Sequence, residues 1–210
     1  MRLVLVRHGE STWNLEGRFQ GQLDPPLSKL GVRQAAAVAR RLARADRPAT
    51  VVSSPLIRAR RTAEIIASAC ELPLETDDRL REISHGQWEG LLSAEVAQRW
   101  PAMLAQWRDE PERIHFPHGE SLADVDVRLH SFLVDSKGRP SPLLVCTHDV
   151  IVRLAVLWAQ GAPLKRFWDA ATDNASITEI VIEGERRALV RRNDAAHLEG
   201  LRSDLARQAL

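Results

Sequence analysis

A chain of 210 residues with a formal net charge of +1 suits one domain and carries no basic field to draw nucleic acid or an anionic membrane. Its two cysteines, Cys70 and Cys146, lack CxxC spacing and sit in apolar runs, so they read as buried free thiols of a reducing compartment. No apolar stretch approaches a membrane span, and a strand pattern begins at residue 2, leaving no room for a signal peptide; the expectation is a cytoplasmic protein.

The run from Arg2 to Val6 is short and β-branched-rich, the pattern of a buried parallel strand, and it ends at Arg7-His8-Gly9-Glu10. An irregular stretch is expected from Ser11 to Pro26. Ser28 then N-caps a helix that continues to about Ala45. Thr50 to Ser53 reads as a second strand, and Pro55 favours a helix start just after it, with Ile57, Ala63, Ile66 and Ala67 as the buried stripe. A strand-like piece from Leu72 to Thr76 leads through Leu80-Arg81-Glu82-Ile83 to a turn at Gly86 and Gly90. Pro101, Pro111 and Pro117 alternate with Trp100, Trp107 and Phe116, so residues around 92–120 read as a short cap over the sheet edge within a single domain spanning 1–210. Ser121 to Asp124 forms a capping box for a helix with Leu122, Val125, Leu129, Phe132 and Leu133 on one face. Pro142 to Cys146 is another buried strand. It runs into Thr147-His148-Asp149 and a helix from about Val150 to Gln160. Ala175 to Ile182 and Arg187 to Arg192 read as a terminal hairpin turning at Glu183-Gly184-Glu185. Strands alternating with helices predict an α/β fold.

In open α/β sheets chemistry collects beyond the carboxyl ends of the strands. If the two strands that end in histidine are neighbours, His8 and His148 meet there, with Arg7, Arg58 and Glu82 at the same edge. A neutral imidazole is a nucleophile toward phosphorus, and cationic neighbours keep it neutral. Arg7, Arg58 and a protonated His148 would bind the non-bridging oxygens and stabilise the charge that gathers on them. Glu82, its pKa raised by burial, would protonate the leaving alkoxide. The helix N-termini after Ser53-Ser54 and after Thr147-His148 would add amide donors.

These residues resemble the histidine phosphatase superfamily, which includes phosphoglycerate mutases. Arg7 to Asn14 is similar to its nucleophile motif and Gly21 to Ser28 to the segment that follows. Ser53 to Ala63 is similar to its arginine motif, Leu80 to Gly90 to its acid motif, and Thr147-His148 to its second histidine. The resemblance covers nearly the whole chain. It implies a phosphoglycerate mutase-like three-layer α/β/α sandwich, its sheet mostly parallel with an antiparallel edge. It also makes His8 the phosphorylated nucleophile, Arg7, Arg58 and His148 the phosphate pocket, and Glu82 the proton donor. Asn14 and Gln20 would assist as phosphate contacts, Gly21 would join them among the substrate-binding residues, and no cofactor or metal is implied.

Superfamily mutases are usually longer between the acid motif and the second histidine, so the short cap here favours a phosphatase over the alternative, a cofactor-dependent phosphoglycerate mutase. Glu82 to Gly86, Gly119 to Ala123, Phe167-Trp168, Asp173 to Ser176 and His197-Leu198 are similar to metal-independent phosphoserine phosphatases. The expected partner is a small phosphomonoester, with O-phosphoserine the candidate substrate. His85 would either touch its non-phosphate end or be a turn histidine bonded to backbone. Asp149 stands where relatives often carry an uncharged residue. It would either N-cap the following helix with its carboxylate on amides or hold a substrate ammonium. A catalytically inactive phospholigand-binding relative is a remote alternative, since His8 and Glu82 are both present.

Competing motifs are weak. Glu82-x-x-His85 has the spacing of a di-iron ligand pair but lacks the required second copy. Asp124-x-Asp126 falls inside a capped amphipathic helix, and no GxxxxGK[ST] loop occurs. His115, His118, His130 and His197 read as surface or packing residues. The six tryptophans read as core and cap packing, with Trp13 and Trp88 placed to wall the site. Oligomeric state stays open, an exposed strand edge or a tryptophan face being the candidate surfaces for a homodimer.

Overall fold

The computed structural model describes residues 1–209; residue 210, the last of the expected domain, lies outside them. One six-stranded sheet organises the chain in the order β3-β2-β4-β1-β5-β6: β1 Arg2–Arg7, β2 Thr50–Ser53, β3 Leu74–Thr76, β4 Leu143–Thr147, β5 Ile177–Glu183 and β6 Arg186–Asp194. The pairs β3·β2, β2·β4 and β4·β1 are parallel, and β1·β5 and β5·β6 antiparallel. The expected mostly parallel sheet with an antiparallel edge is observed.

The apolar runs that marked the strands are buried on both faces. Leu3, Leu5, Val52, Leu143 and Val145 join one core cluster; Val4, Val6, Val51, Leu144 and Cys146 join the other. Such alternation follows from the two-residue side-chain period of a strand. On the first face lie α6 (Leu122–Asp135) and α7 (Asp149–Gln160); on the second, α2 (Lys29–Ala45) and α3 (Ile57–Cys70). This is the three-layer sandwich. Ser28 caps α2 by accepting from the Gly31 N–H, and Ser121 with Asp124 forms the anticipated capping box of α6, whose five expected apolar residues are all buried. In α3, Ala63, Ile66 and Ala67 are buried as expected, whereas Ile57 is only half-buried.

The stretch from Ser11 to Pro26 is not wholly irregular. Thr12–Glu16 forms a short helix, α1, with a Ser11/Asn14 capping box at its start and Gly17 in the left-handed conformation at its end. Asparagine rather than glutamate at the third position hides that box from a search for Glu or Gln. The cap segment folds as α4 (Ser93–Arg99) and α5 (Pro101–Asp109), and its aromatic rings pack with Trp88 and Phe167, Trp88 packing in turn with Phe19. Both cysteines are free and buried. Among the described residues no helix is long and apolar enough to cross a membrane. The free edge β6 exposes Arg186, Arg187 and Val190, and such charged residues discourage strand addition.

Candidate active site

Parallel register places Arg7 opposite Thr147, so the residues after β1 and β4 emerge together at the carboxyl end of the sheet. The rings of His8 and His148 are 5.1 Å apart, centre to centre. Arg58, on the first turn of α3, and Glu82, beyond β3, line one pocket with Arg7 and His8. Elements distant in sequence thus deliver all five expected groups to one place.

The close approach behind His8 depends on glycine. A Cβ at Gly31, in the first turn of α2, would stand 2.0 Å from the Glu10 carbonyl oxygen, and one at Gly9 would stand 2.4 Å from that of Gly31. His8 Nδ1 is 2.7 Å from the Gly9 carbonyl oxygen, which can only accept. Nδ1 therefore carries the proton, and Nε2 keeps its lone pair. Burial, followed by Arg58 and Arg7, holds the His8 pKa well below 6.5, so the ring is neutral near pH 7.

Both guanidinium groups are anchored by backbone. Arg58 donates from Nη1 and Nη2 to the carbonyls of Leu23 and Gly21, at 2.8 Å each, and Arg7 donates from Nη1 to the Thr172 carbonyl at 2.7 Å. Among the described residues each keeps a buried Nε without a partner. His148 Nδ1 is likewise buried and unpartnered, while its Nε2 lies 2.8 Å from the Ser54 hydroxyl. Each unsatisfied buried donor costs about 1–3 kcal/mol. A group with several acceptor oxygens would satisfy them together. His148 is neutral rather than protonated as expected: burial, then Arg58 and His8, lower its pKa well below 6.5.

Glu82 has the opposite perturbation. Burial, reinforced by Asp149 and opposed by Arg58, raises its pKa to about 7. One oxygen accepts from the N–H groups of Ile83 and Val150 at 3.0 and 3.3 Å. The amide donor at the start of α7 is therefore spent on Glu82. After β2, Leu56 rather than a serine N-caps α3, and the Leu56 N–H faces the Ser54 hydroxyl.

Gln20 and Gly21 line the pocket. Gln20 accepts from the Ser11 hydroxyl at 2.7 Å, and a Cβ at Gly21 would meet the Glu89 carboxylate. Asn14 lies behind the wall. Its Nδ2 donates to Gln208 Oε1 at 3.1 Å, and the same oxygen accepts from Arg7 Nη2 at 2.6 Å. Ala209, next to Gln208 in the carboxyl-terminal tail, lines one side of a cavity of about 20 Å³. Sequence carried no signal for them. Trp107 and Trp168 wall the pocket in place of Trp13 and Trp88, with Trp168 Nε1 donating to the Trp107 carbonyl at 2.9 Å.

His85 also lines the pocket and is not the turn histidine bonded to backbone. Among the described residues neither ring nitrogen has a partner, and the ring packs against Phe19, Phe116 and Trp107. Burial, then Arg58, lowers its pKa to about 3. Asp149 is not an N-cap: His148 takes that position, and the Asp149 carboxylate binds Arg153 Nε at 2.6 Å, the Thr172 hydroxyl, and Arg7 Nη1 at 3.4 Å. Arg153 went unnoticed in the sequence, although a lone Asp-Arg pair four residues apart in an otherwise apolar helix is a visible signal.

The model of the histidine phosphatase superfamily (branch 1) matches residues 3–195. The chain belongs to the histidine phosphatase superfamily. A relative named phosphoserine phosphatase 1, from Hydrogenobacter thermophilus, is 40% identical over 200 residues, covering 94% of each chain. One named "Probable phosphoglycerate mutase GpmB", from Yersinia pestis, is 38% identical over 166 residues, covering 78% of this chain and 76% of its own. The solved structure of Bacillus stearothermophilus YhfR superposes with a TM-score of 0.88 at 31% identity, covering 94% of this chain and 98% of that one. The family resemblance carried by the Arg7-His8-Gly9-Glu10 and Thr147-His148 motifs is thus confirmed across the chain. The protein is an enzyme of this superfamily, a phosphatase acting on a small phosphorylated molecule.

Proposed function

We propose that the enzyme hydrolyses small phosphomonoesters through a phosphohistidine at His8, with O-phosphoserine the preferred substrate. The observation that carries the reading is a neutral imidazole with a free Nε2, close to three buried unpartnered nitrogens and a carboxyl that titrates near pH 7. In the first step the Nε2 lone pair forms the P–N bond, the ester P–O bond breaks, and Glu82 gives its proton to the leaving alkoxide. Arg7, Arg58 and His148 hold the three non-bridging oxygens, which gain charge as the bond breaks. In the second step Glu82 removes a proton from water as that water attacks phosphorus, the P–N bond breaks, and phosphate leaves with Glu82 again protonated.

The short cap supports hydrolysis, and the name of the 40% identical relative with the unpartnered ring nitrogens of His85 beside the pocket supports phosphoserine. The name of the Yersinia relative favours a second reading, phosphoryl return to a bound sugar acid. The buried free thiols of Cys70 and Cys146 suit a reducing, cytoplasmic setting. Turnover of a panel containing phosphoserine and 3-phosphoglycerate, run in chelator, tests these readings. Release of inorganic phosphate, fastest from phosphoserine, is expected. Indifference to phosphoserine removes the substrate, isomerisation of 3-phosphoglycerate favours the mutase, and loss of turnover in chelator removes the metal-free mechanism.

A further inference from the structure

Asp149 is a buried carboxylate in the wall of a pocket meant for an anion, and neither step of the mechanism uses it. It is 2% exposed, and burial alone would push its pKa up, yet Arg153, Arg7 and the Thr172 hydroxyl keep it below the usual carboxylate range. The carboxylate is fixed from three sides: Arg153 reaches it from one turn along α7, Thr172 from the loop before β5, and Arg7 from the end of β1. Arg153 is held in turn over the rings of Phe167 and Trp168, at 5.3 and 5.0 Å. With this set of partners the carboxylate is committed to cations of its own protein, which leaves little capacity for a substrate ammonium.

We propose that Asp149 is a built-in counter-anion of the phosphate pocket, a positioning residue whose fixed charge moderates how tightly Arg7 holds phosphate and acts on Glu82 across the same pocket. The proposal rests on the phosphomonoesterase reading and adds to it a residue that touches neither substrate nor reacting atoms. Its physical basis is charge. Arg7 and Arg58 line the pocket as cations, and a third cation, Arg153, stands directly behind Asp149. Phosphate is both part of the substrate and the product, so attraction common to both slows release without lowering the barrier. A fixed negative charge next to Arg7 weakens that common attraction. The same charge disfavours ionisation of Glu82, whose other neighbours are Arg58 from α3, Arg7 from β1, the Ile83 and Val150 amides, and the neutral His8 and His85, which line the same pocket. From α6, Arg128 donates to the Glu82 carbonyl and is itself paired with Glu120.

Asp149→Asn and Arg153→Gln, each checked for native circular dichroism, separate this role from simple support. Inorganic phosphate is the probe, measured by calorimetry and as a competitive inhibitor. Asp149→Asn is expected to bind phosphate about tenfold more tightly and to move the alkaline limb of kcat/KM about one pH unit toward acid; Arg153→Gln is expected to bind phosphate about tenfold more weakly. A merely structural network predicts weaker binding in both variants. Weaker or unchanged phosphate binding by Asp149→Asn, or an unmoved alkaline limb, overturns the proposal. Should Asp149→Asn fail to fold, tighter or unchanged phosphate binding by Arg153→Gln overturns it alone. Loss of phosphoserine turnover by Asp149→Asn, with an amino-free phosphoester spared, makes Asp149 a substrate contact and also overturns it. A wild-type enzyme that hydrolyses no phosphomonoester sinks the underlying reading instead, while the calorimetric comparison still decides the role of Asp149.

Discussion

Replacing Glu82 by glutamine gives the sharpest test of the proton-transfer step, because the effect depends on the leaving group. Glutamine keeps the shape and can still accept from the Ile83 and Val150 amides, but it has no proton to give. General acid catalysis is worth roughly 10²–10⁴ in rate, or about 2.7–5.5 kcal/mol of barrier. With Glu82 titrating near pH 7, about half the wild-type enzyme carries the proton at that pH, and kcat/KM should fall about tenfold per pH unit well above it. The variant should lose that alkaline limb. The assay is kcat/KM, which reports the steps up to release of the alcohol, for an alkyl phosphate and for 4-nitrophenyl phosphate. Nitrophenolate leaves without help, so its kcat/KM should fall less than tenfold, while that of the alkyl ester falls by the full factor. Equal losses on the two substrates, or an alkaline limb that persists, would refute the assignment of Glu82 as the acid.

Four further outcomes follow from the same geometry. His8→Ala should abolish acid-labile phosphate labelling of the protein by a slow phosphodonor and reduce turnover to background. Gly31→Ala should lower stability by about 1–3 kcal/mol in urea denaturation and slow turnover, since the new methyl must push the backbone that carries His8. His85 binds its proton less readily folded than unfolded, so its share of stability is present above pH 6.5 and lost as pH falls toward about 3. His85→Phe should therefore spare about 2 kcal/mol of the stability lost between about pH 7 and pH 5, a difference that urea titrations at the two pH values would show. Gln208→Ala should tighten inorganic phosphate several-fold, because phosphate no longer competes with an amide oxygen for Arg7 and Asn14; weaker binding would mean that the tail helps to hold the ligand.

The catalytic edge was legible in the sequence because its signals are local. An apolar run ending in Arg7-His8 and another ending in Thr147-His148 each state where a strand stops, and parallel pairing of two buried strands brings their ends together. Arg58 and Glu82 were found the same way, as polar residues just past strand or helix boundaries. The Ser28 cap of α2 and the capping box of α6 are visible for the same reason, and the Ser11 box of α1 is hidden only by its Asn14. What could not be read is which long-range partner a side chain chooses. Trp13 and Trp88 sit within the motifs, yet Trp107 and Trp168 wall the pocket, a choice fixed by how the cap packs. Gln208 reaches Arg7 across 201 residues of chain, and nothing near it in sequence announces that contact.

That division has an energetic side. Arg58 spends both terminal nitrogens on the carbonyls of Gly21 and Leu23, and Arg7 spends its own on the Thr172 carbonyl and the Gln208 side chain; among the described residues each keeps Nε unsatisfied. The backbone thus pays in advance for the orientation of both cations, and an incoming phosphoryl group meets donors that need not reorganise. This arrangement requires that the loops carrying those carbonyls be rigid, and residues far from phosphorus make them so. Gly21 admits the Glu89 carboxylate, which accepts from the Gln22 and His85 N–H groups and from the Ser84 hydroxyl, tying the loop after α1 to the acid motif. Activity should therefore be as sensitive to Glu89 as to residues that face the substrate, although Glu89 carries no chemistry of its own.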